Sequence, residues 1–187
     1  MSSTVPPPLA KRDAIFVRGN LSRDHGTLLG ALEMSADALS AAPRRPFEDV
    51  SIEVLRGAAV GYWKGWTFVV HPTAAFSLVP SEPDSGLSAT ARRLAALSEE
   101  VFALWTMPSR RASGFASLRR GAWARMRTYD EGEIRLDAGR PLPFELRDEG
   151  GIDWEGWPRA ASRSLLGVEA GDLLDSPVLT ATIHAPW

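Results

Sequence analysis

Between residues 110 and 127 the chain carries six arginines (Arg110, Arg111, Arg119, Arg120, Arg125 and Arg127) and no acid; between 130 and 155 it carries nine acids against three arginines. Trp123 lies in the basic half, and Trp154 and Trp157 lie at the end of the acidic half. Arginine and tryptophan dominate binding hot spots, because one offers a rigid fork of donors and the other a large flat area to bury. The chemistry on offer is therefore recognition. Arg119, Arg120, Arg125 and Arg127 around Trp123 suit an acidic partner. Asp148, Glu149, Asp153 and Glu155, beside Trp154 and Trp157, can imitate a phosphate backbone with its stacked bases, the shape a nuclease groove is built to hold. A solvated acidic loop kept for solubility accounts for the same acids.

Residues for covalent or metal chemistry are dispersed or missing. There is no cysteine, which excludes disulfides, thiolate zinc sites and cysteine nucleophiles. His25, His71 and His184 are far apart in the sequence, with no ligand spacing. No Gly-x-Ser-x-Gly elbow, P-loop or dinucleotide-binding glycine pattern occurs. The acid pairs Asp148/Glu149 and Asp153/Glu155 stand in loop-like sequence, not across a cleft as a glycosidase needs. Arg110-Arg111-Ala112-Ser113 looks like a kinase acceptor site, but four residues occur easily by chance. The expectation is a protein with no catalytic residue, no metal and no cofactor.

The elements that must hold these residues follow from periodicity. Strands are expected at 14–17, 50–55, 76–79, 101–107, 114–119, 122–129, 133–137 and 178–183, with a hairpin over 58–71. A Lys64-Gly65 turn in that hairpin would make Trp63 and Trp66 a cross-strand pair and set Gly61 opposite Phe68. Helices are expected near 22–40, 88–98 and 158–167, started by Ser22 or Asp24, by Ser88, and by Pro158 in the first turn. Residues 1–12, with three consecutive prolines, should form a disordered tail before a single domain over 13–187. The fold class is α+β, a mostly antiparallel sheet of six to eight strands with about three helices on one face.

The 114–128 hairpin decides what the arginines face. With Arg120-Gly121 as a two-residue turn and strict alternation, Leu118 pairs with Trp123, Ala116 with Arg125 and Gly114 with Arg127. Trp123, Arg125 and Arg127 then share one face, and Phe115, Ser117, Ala124 and Met126 the other. Trp123 is either an exposed binding residue or covered by another part of the chain, and a slip of one residue exchanges the faces.

The chain has a net charge of −2, which gives it no general attraction to nucleic acid or anionic membrane. Single-stranded nucleic acid, stacking on Trp123 between arginines, is accordingly disfavoured as a partner. No apolar run approaches the ~20 residues of a membrane span. The first ten residues lack the apolar segment of a secretory signal, and a cytoplasmic location is expected.

Four stretches carry a resemblance: Phe16-Val17-Arg18-Gly19-Asn20-Leu21-Ser22, Lys64-Gly65-Trp66-Thr67-Phe68-Val69, Leu97-Ser98-Glu99-Glu100-Val101, and Gly139-Arg140-Pro141-Leu142-Pro143-Phe144-Glu145. Together, over residues 14–170, the chain resembles small bacterial proteins that include candidate immunity proteins of secreted toxins. The resemblance implies an antiparallel sheet with a few helices, no catalytic residues, and a protein partner, in the leading case a toxin that the chain occludes. The alternatives left open are a small-molecule-binding domain or enzyme with a pocket lined by Trp and Arg, and a single-stranded nucleic-acid binder.

Overall fold

The computed structural model describes residues 13–21, 24–34, 45–46, 58–71, 74–80, 86–147, 153–154, 156–167 and 180–184. The expected tail over 1–12, the strand over 50–55 and residues 35–40 of the first expected helix lie outside the described residues.

The core is one antiparallel sheet. In chain order its strands are β1 (Ala14–Arg18), β2 (Arg45–Pro46), β3 (Ala58–Trp63), β4 (Trp66–Val70), β5 (Glu100–Met107), β6 (Ala112–Arg119), β7 (Ala122–Asp130), β8 (Glu133–Gly139) and β9 (Thr180–His184). Their order across the sheet is β2-β9-β3-β4-β1-β5-β6-β7-β8. The ninth strand, beyond the six to eight expected, is the two-residue β2 at one edge. β1 is central because it can be: Ala14, Ile15, Phe16 and Val17 are apolar on both faces, and all four are fully buried.

Alternation divides the core into two layers. One holds Phe16, Phe68, Phe102 and Phe115; the other holds Ile15, Val69, Val101, Ala103 and Trp105. Both layers are hydrophobic, so both faces need a cover. α1 (His25–Ala31) and α2 (Ala89–Leu97) supply it on the second face through Leu28, Leu29 and Leu94. α3 (Gly156–Leu166) supplies it on the first through Trp157, Ala161 and Leu166. The expectation of all three helices on one face is thus corrected. α3 brings a large aromatic, Trp157, which stacks on Tyr129 and meets Phe144 on the phenylalanine face.

Local sequence sets the element ends. The Asp24 carboxylate accepts from the Thr27 backbone N–H at 3.1 Å and starts α1. Ser88 accepts from the Ala91 N–H at 3.1 Å, and its hydroxyl lies 3.1 Å from the Leu78 carbonyl, tying α2 to the preceding turn. The β3–β4 hairpin turns at Lys64-Gly65 as expected, with Trp63 opposite Trp66 and Gly61 opposite Phe68. Lys64 itself accepts a positive φ of 42°, so no bulge is needed. The strand expected at 76–79 is instead a 3₁₀ turn, Phe76–Leu78. The Ser77 hydroxyl donates to the Ala74 carbonyl at 2.7 Å, and this local bond competes with extended pairing.

Trp105 and Gly114 are cross-strand partners in β5 and β6. The indole lies across the glycine so closely that an added Cβ would sit 2.2 Å from Trp105 Cζ2. Gly114→Ala should therefore destabilise the fold by about 1–3 kcal/mol or more in urea unfolding. Gly30→Ala, on an exposed face of α1 with open space around it, should stabilise by roughly 0.5–1 kcal/mol. Equal effects from the two substitutions would contradict this packing.

Candidate functional site

The β6–β7 pair departs from strict alternation at one residue. Leu118 pairs with Trp123 as expected, but Ser117 pairs with Arg125, Ala116 with Met126 and Phe115 with Arg127. Ala124 is the extra residue, a β-bulge. Gly139 packs against it with φ of +84°, and a Cβ there would stand 2.3 Å from the Ala124 carbonyl oxygen. The bulge lets Trp123 and Met126 both join the layer beneath α1 and α2. Arg125 and Arg127 are sent to the opposite face, beside Phe115 and Trp157. The register with Ala116 opposite Arg125 and Gly114 opposite Arg127 is thereby corrected, and with it the single patch of Trp123, Arg125 and Arg127.

Arg125 is held among acids. Its Nε donates to Glu145 Oε1 at 2.8 Å and Oε2 at 3.0 Å, and Nη1 donates to the Ala138 carbonyl at 3.0 Å. Further charge-assisted bonds join Nη1 to Asp137 and Nη2 to Glu145. The Arg125 and Glu145 side chains are only 3% and 4% exposed, so this pair belongs to the interior. Arg127 donates to Asp137 Oδ2 at 2.6 Å and places its guanidinium 4.2 Å from the Trp157 ring centre. Trp157 in turn stacks on Tyr129. Burial opposes the charge on Arg125, but the bonds to Glu145 and Asp137 outweigh it and hold its pKa above the ordinary value. Burial likewise would raise the Asp137 carboxyl, but Arg125 and Arg127 outweigh it and hold it below the usual range. Burial pushes Tyr129 up to about 12, so its hydroxyl stays protonated.

The other expected site residues are scattered. Trp123 is partly covered, its Nε1 donating to the Gly86 carbonyl at 3.4 Å, which is the covered alternative. Arg119 is exposed and paired with Glu100 at 2.8 Å; Arg120 is exposed in the β6–β7 turn. Trp157 is buried, and Trp154 is partly buried with its carbonyl accepting from Ser113. Asp153 is exposed and accepts from the Gly156 N–H at 2.8 Å, opening α3. Asp148, Glu149 and Glu155 lie outside the described residues. The charge reversal thus folds back on itself, with the basic strands paired largely to their own neighbours.

A concave site forms elsewhere, at the end of the sheet where β5 turns into β6 and β7 into β8. It is an open cleft of about 470 Å³. Trp105, Met107, Ala112 and Leu136 form its apolar floor, and Val79 and Pro80 also line it. Thr128 and Tyr129 line one wall. Two arginines stand at its rim. Arg110 forks onto Asp130 at 2.7 and 2.8 Å, which holds the Asp130 carboxyl below its ordinary value. Among the described residues Arg135 has no such clamp: its ion pair there, to Glu131, spans 3.9 Å between exposed groups. Arg135 reaches the rim through a second bulge. Thr128 pairs with Leu136 and Tyr129 with Ile134, so Arg135 is the residue left over. Bulges that re-aim a side chain recur next to functional sites. Sequence reading missed this cleft because alternation alone conceals both bulges; the run Thr128-Tyr129 against Ile134-Arg135-Leu136, where two apolar residues flank an arginine, was the available signal.

Among the described residues no three His, Asp or Glu side chains stand close enough to hold a metal, and no helix is long and apolar enough to cross a membrane. No protein-family model, no curated protein and no solved structure matches the chain.

Two predictions follow from the ion-pair network. Arg125→Met, which strands Glu145 in the interior, should cost about 3–5 kcal/mol, and adding Glu145→Leu should restore much of it; urea titration of the three proteins reads the cycle. The network also sets an acid limit. Because the folded Asp137 carboxyl lies below its ordinary 3.8, its contribution is complete above about pH 4 and is lost as pH falls through the depressed value. Unfolding midpoints measured downward from about pH 6 should drop on that limb, and Asp137→Asn should flatten it.

Proposed function

We propose that this chain is a binding domain with no chemistry of its own, and that it takes a small ligand in the cleft above Trp105. The observation that carries this reading is a concave, mostly apolar space of about 470 Å³ with a bulge-aimed arginine at its rim. Ligand sites commonly fall between about 300 and 1,000 Å³ and combine an apolar lining with few polar groups. The strand arginines support the choice by elimination. Arg119, Arg125 and Arg127 are matched to acids, so they form no open row for a phosphate backbone.

A second reading follows the resemblance to immunity proteins, in which the chain binds and occludes a protein toxin in the cytoplasm. One observation favours it. β8 ends the sheet, and among the described residues Ile134 on that strand and Leu146 just beyond it are 50% and 75% exposed. A strand edge that is unpaired among the described residues and flanked by exposed apolar side chains suits a protein surface.

The two readings separate experimentally. The chain has four methionines, so ¹³C-methyl labelling yields a sparse spectrum in which Met107 reports on the cleft and Met126 on the core beside it. A fragment library should shift Met107, and Ala112→Leu, which fills the floor, should abolish those shifts. If no fragment perturbs Met107, the ligand reading fails. The toxin reading instead requires that co-expression with a toxin encoded beside this gene restores growth, and that Ile134→Glu with Leu146→Glu removes the protection.

A further inference from the structure

We propose that the cleft selects small organic anions: an apolar body carrying one carboxylate, sulfonate or similar group, held by Arg135. This rests on the cleft being the ligand site. The charged groups lining it are Arg110, Arg135 and Asp130, which leaves a formal charge of +1. Arg110 and Asp130 neutralise one another through two hydrogen bonds in a fork geometry. The remaining positive charge is that of Arg135. The acid it pairs with among the described residues, Glu131, is 76% exposed and 3.9 Å away, a contact that water screens and that an incoming anion can replace.

The position of Arg135 is built by the fold. Without the bulge, Arg135 would occupy an ordinary paired site on β8 and Leu136 would lose its place opposite Thr128 on the floor. With it, Leu136 is buried in the floor while the guanidinium stands at the mouth. The other polar side chains of the lining add nothing that prefers a cation: Thr128 is neutral, Tyr129 turns its ring to the opposite layer against Trp157, and Asp130 already accepts two bonds from Arg110. An apolar body against Met107, Ala112 and Leu136, with its anionic group outward at Arg135, satisfies both halves of the lining.

Two dyes of shared ring system test this: 8-anilinonaphthalene-1-sulfonate, an anion, and N-phenyl-1-naphthylamine, its neutral counterpart. Each is titrated into methionine-labelled protein. The sulfonate should shift Met107 saturably while Met34 and Met126 stay put, and should bind at least about ten-fold more tightly than the neutral dye. Arg135→Gln, at an exposed side chain, should lower sulfonate affinity about ten-fold, roughly 1.4 kcal/mol, and leave the neutral dye unchanged. Equal affinity for the two dyes, or an Arg135→Gln protein that binds the sulfonate undiminished, overturns the selectivity while leaving a ligand cleft in place. Failure of the sulfonate to move Met107, or shifts spread equally over Met34 and Met126, also overturns it. Loss of the fragment response at Met107 overturns the underlying cleft reading as well.

Discussion

A full positive charge lies inside this protein. The Arg125 side chain is 3% exposed, and a buried guanidinium is tolerated only where every donor is answered. That demand organises the second half of the chain. It requires a bulge at Ala124 to turn Arg125 toward the α3 face. It requires Gly139, the one residue type that can take φ of +84° against the bulged carbonyl. It requires Glu145 to be brought back over the sheet, and the segment that carries it is anchored in passing: Glu145 Oε1 also accepts from the Leu142 N–H at 3.0 Å. Phe144 then reaches Phe115 and Trp157, and α3 docks on the rings so assembled. A buried ion pair of this kind does little for net stability compared with apolar residues of the same volume. Its role here is geometric, since only one register satisfies it.

The same economy of form produces the cleft. Each of the two outer strand pairs contains one extra residue, and each bulge separates a charged side chain from the apolar residue beside it. At Ala124 the charge goes inward to partners already waiting. At Arg135 it goes outward to the rim of a space that the helices leave uncovered. One irregularity therefore serves the fold and the other sets an arginine at the cleft. The charge reversal along the sequence expresses the first far more than the second, because acids that follow the arginines in the chain fold back to meet them.

Much of the fold was legible. The apolar run at 14–17, the Trp63–Trp66 pair across Lys64-Gly65, the Ser88 cap and the meander from 101 to 137 all follow from local pattern, and the structure has them. Two kinds of feature were not legible. The side of the sheet a helix covers depends on tertiary partners outside the helix, here Tyr129 and Phe144 against Trp157, and α3 was placed wrongly for that reason. Bulges insert one residue without a composition mark of their own, so Arg125 and Arg127 were assigned to the face of Trp123 when they belong to the other. For the site, the sequence pointed to arginine and tryptophan as the binding types, and the cleft has both, but through Trp105, Arg110 and Arg135 and not through the residues singled out.

The central claim is that the arginines of β7 are interior structure, and that the proposed ligand contact belongs to Arg135 at the cleft instead. Hydrogen exchange at the arginine Nε–H groups, followed by ¹⁵N NMR, tests it most directly. The account predicts that the Arg125 Nε–H, locked between the two oxygens of Glu145, exchanges at least about a hundred-fold more slowly than that of Arg120, whose side chain is exposed. Exchange at Arg125 as fast as at Arg120 would mean that its guanidinium is open to water, and would return the basic strands to the surface as a binding face.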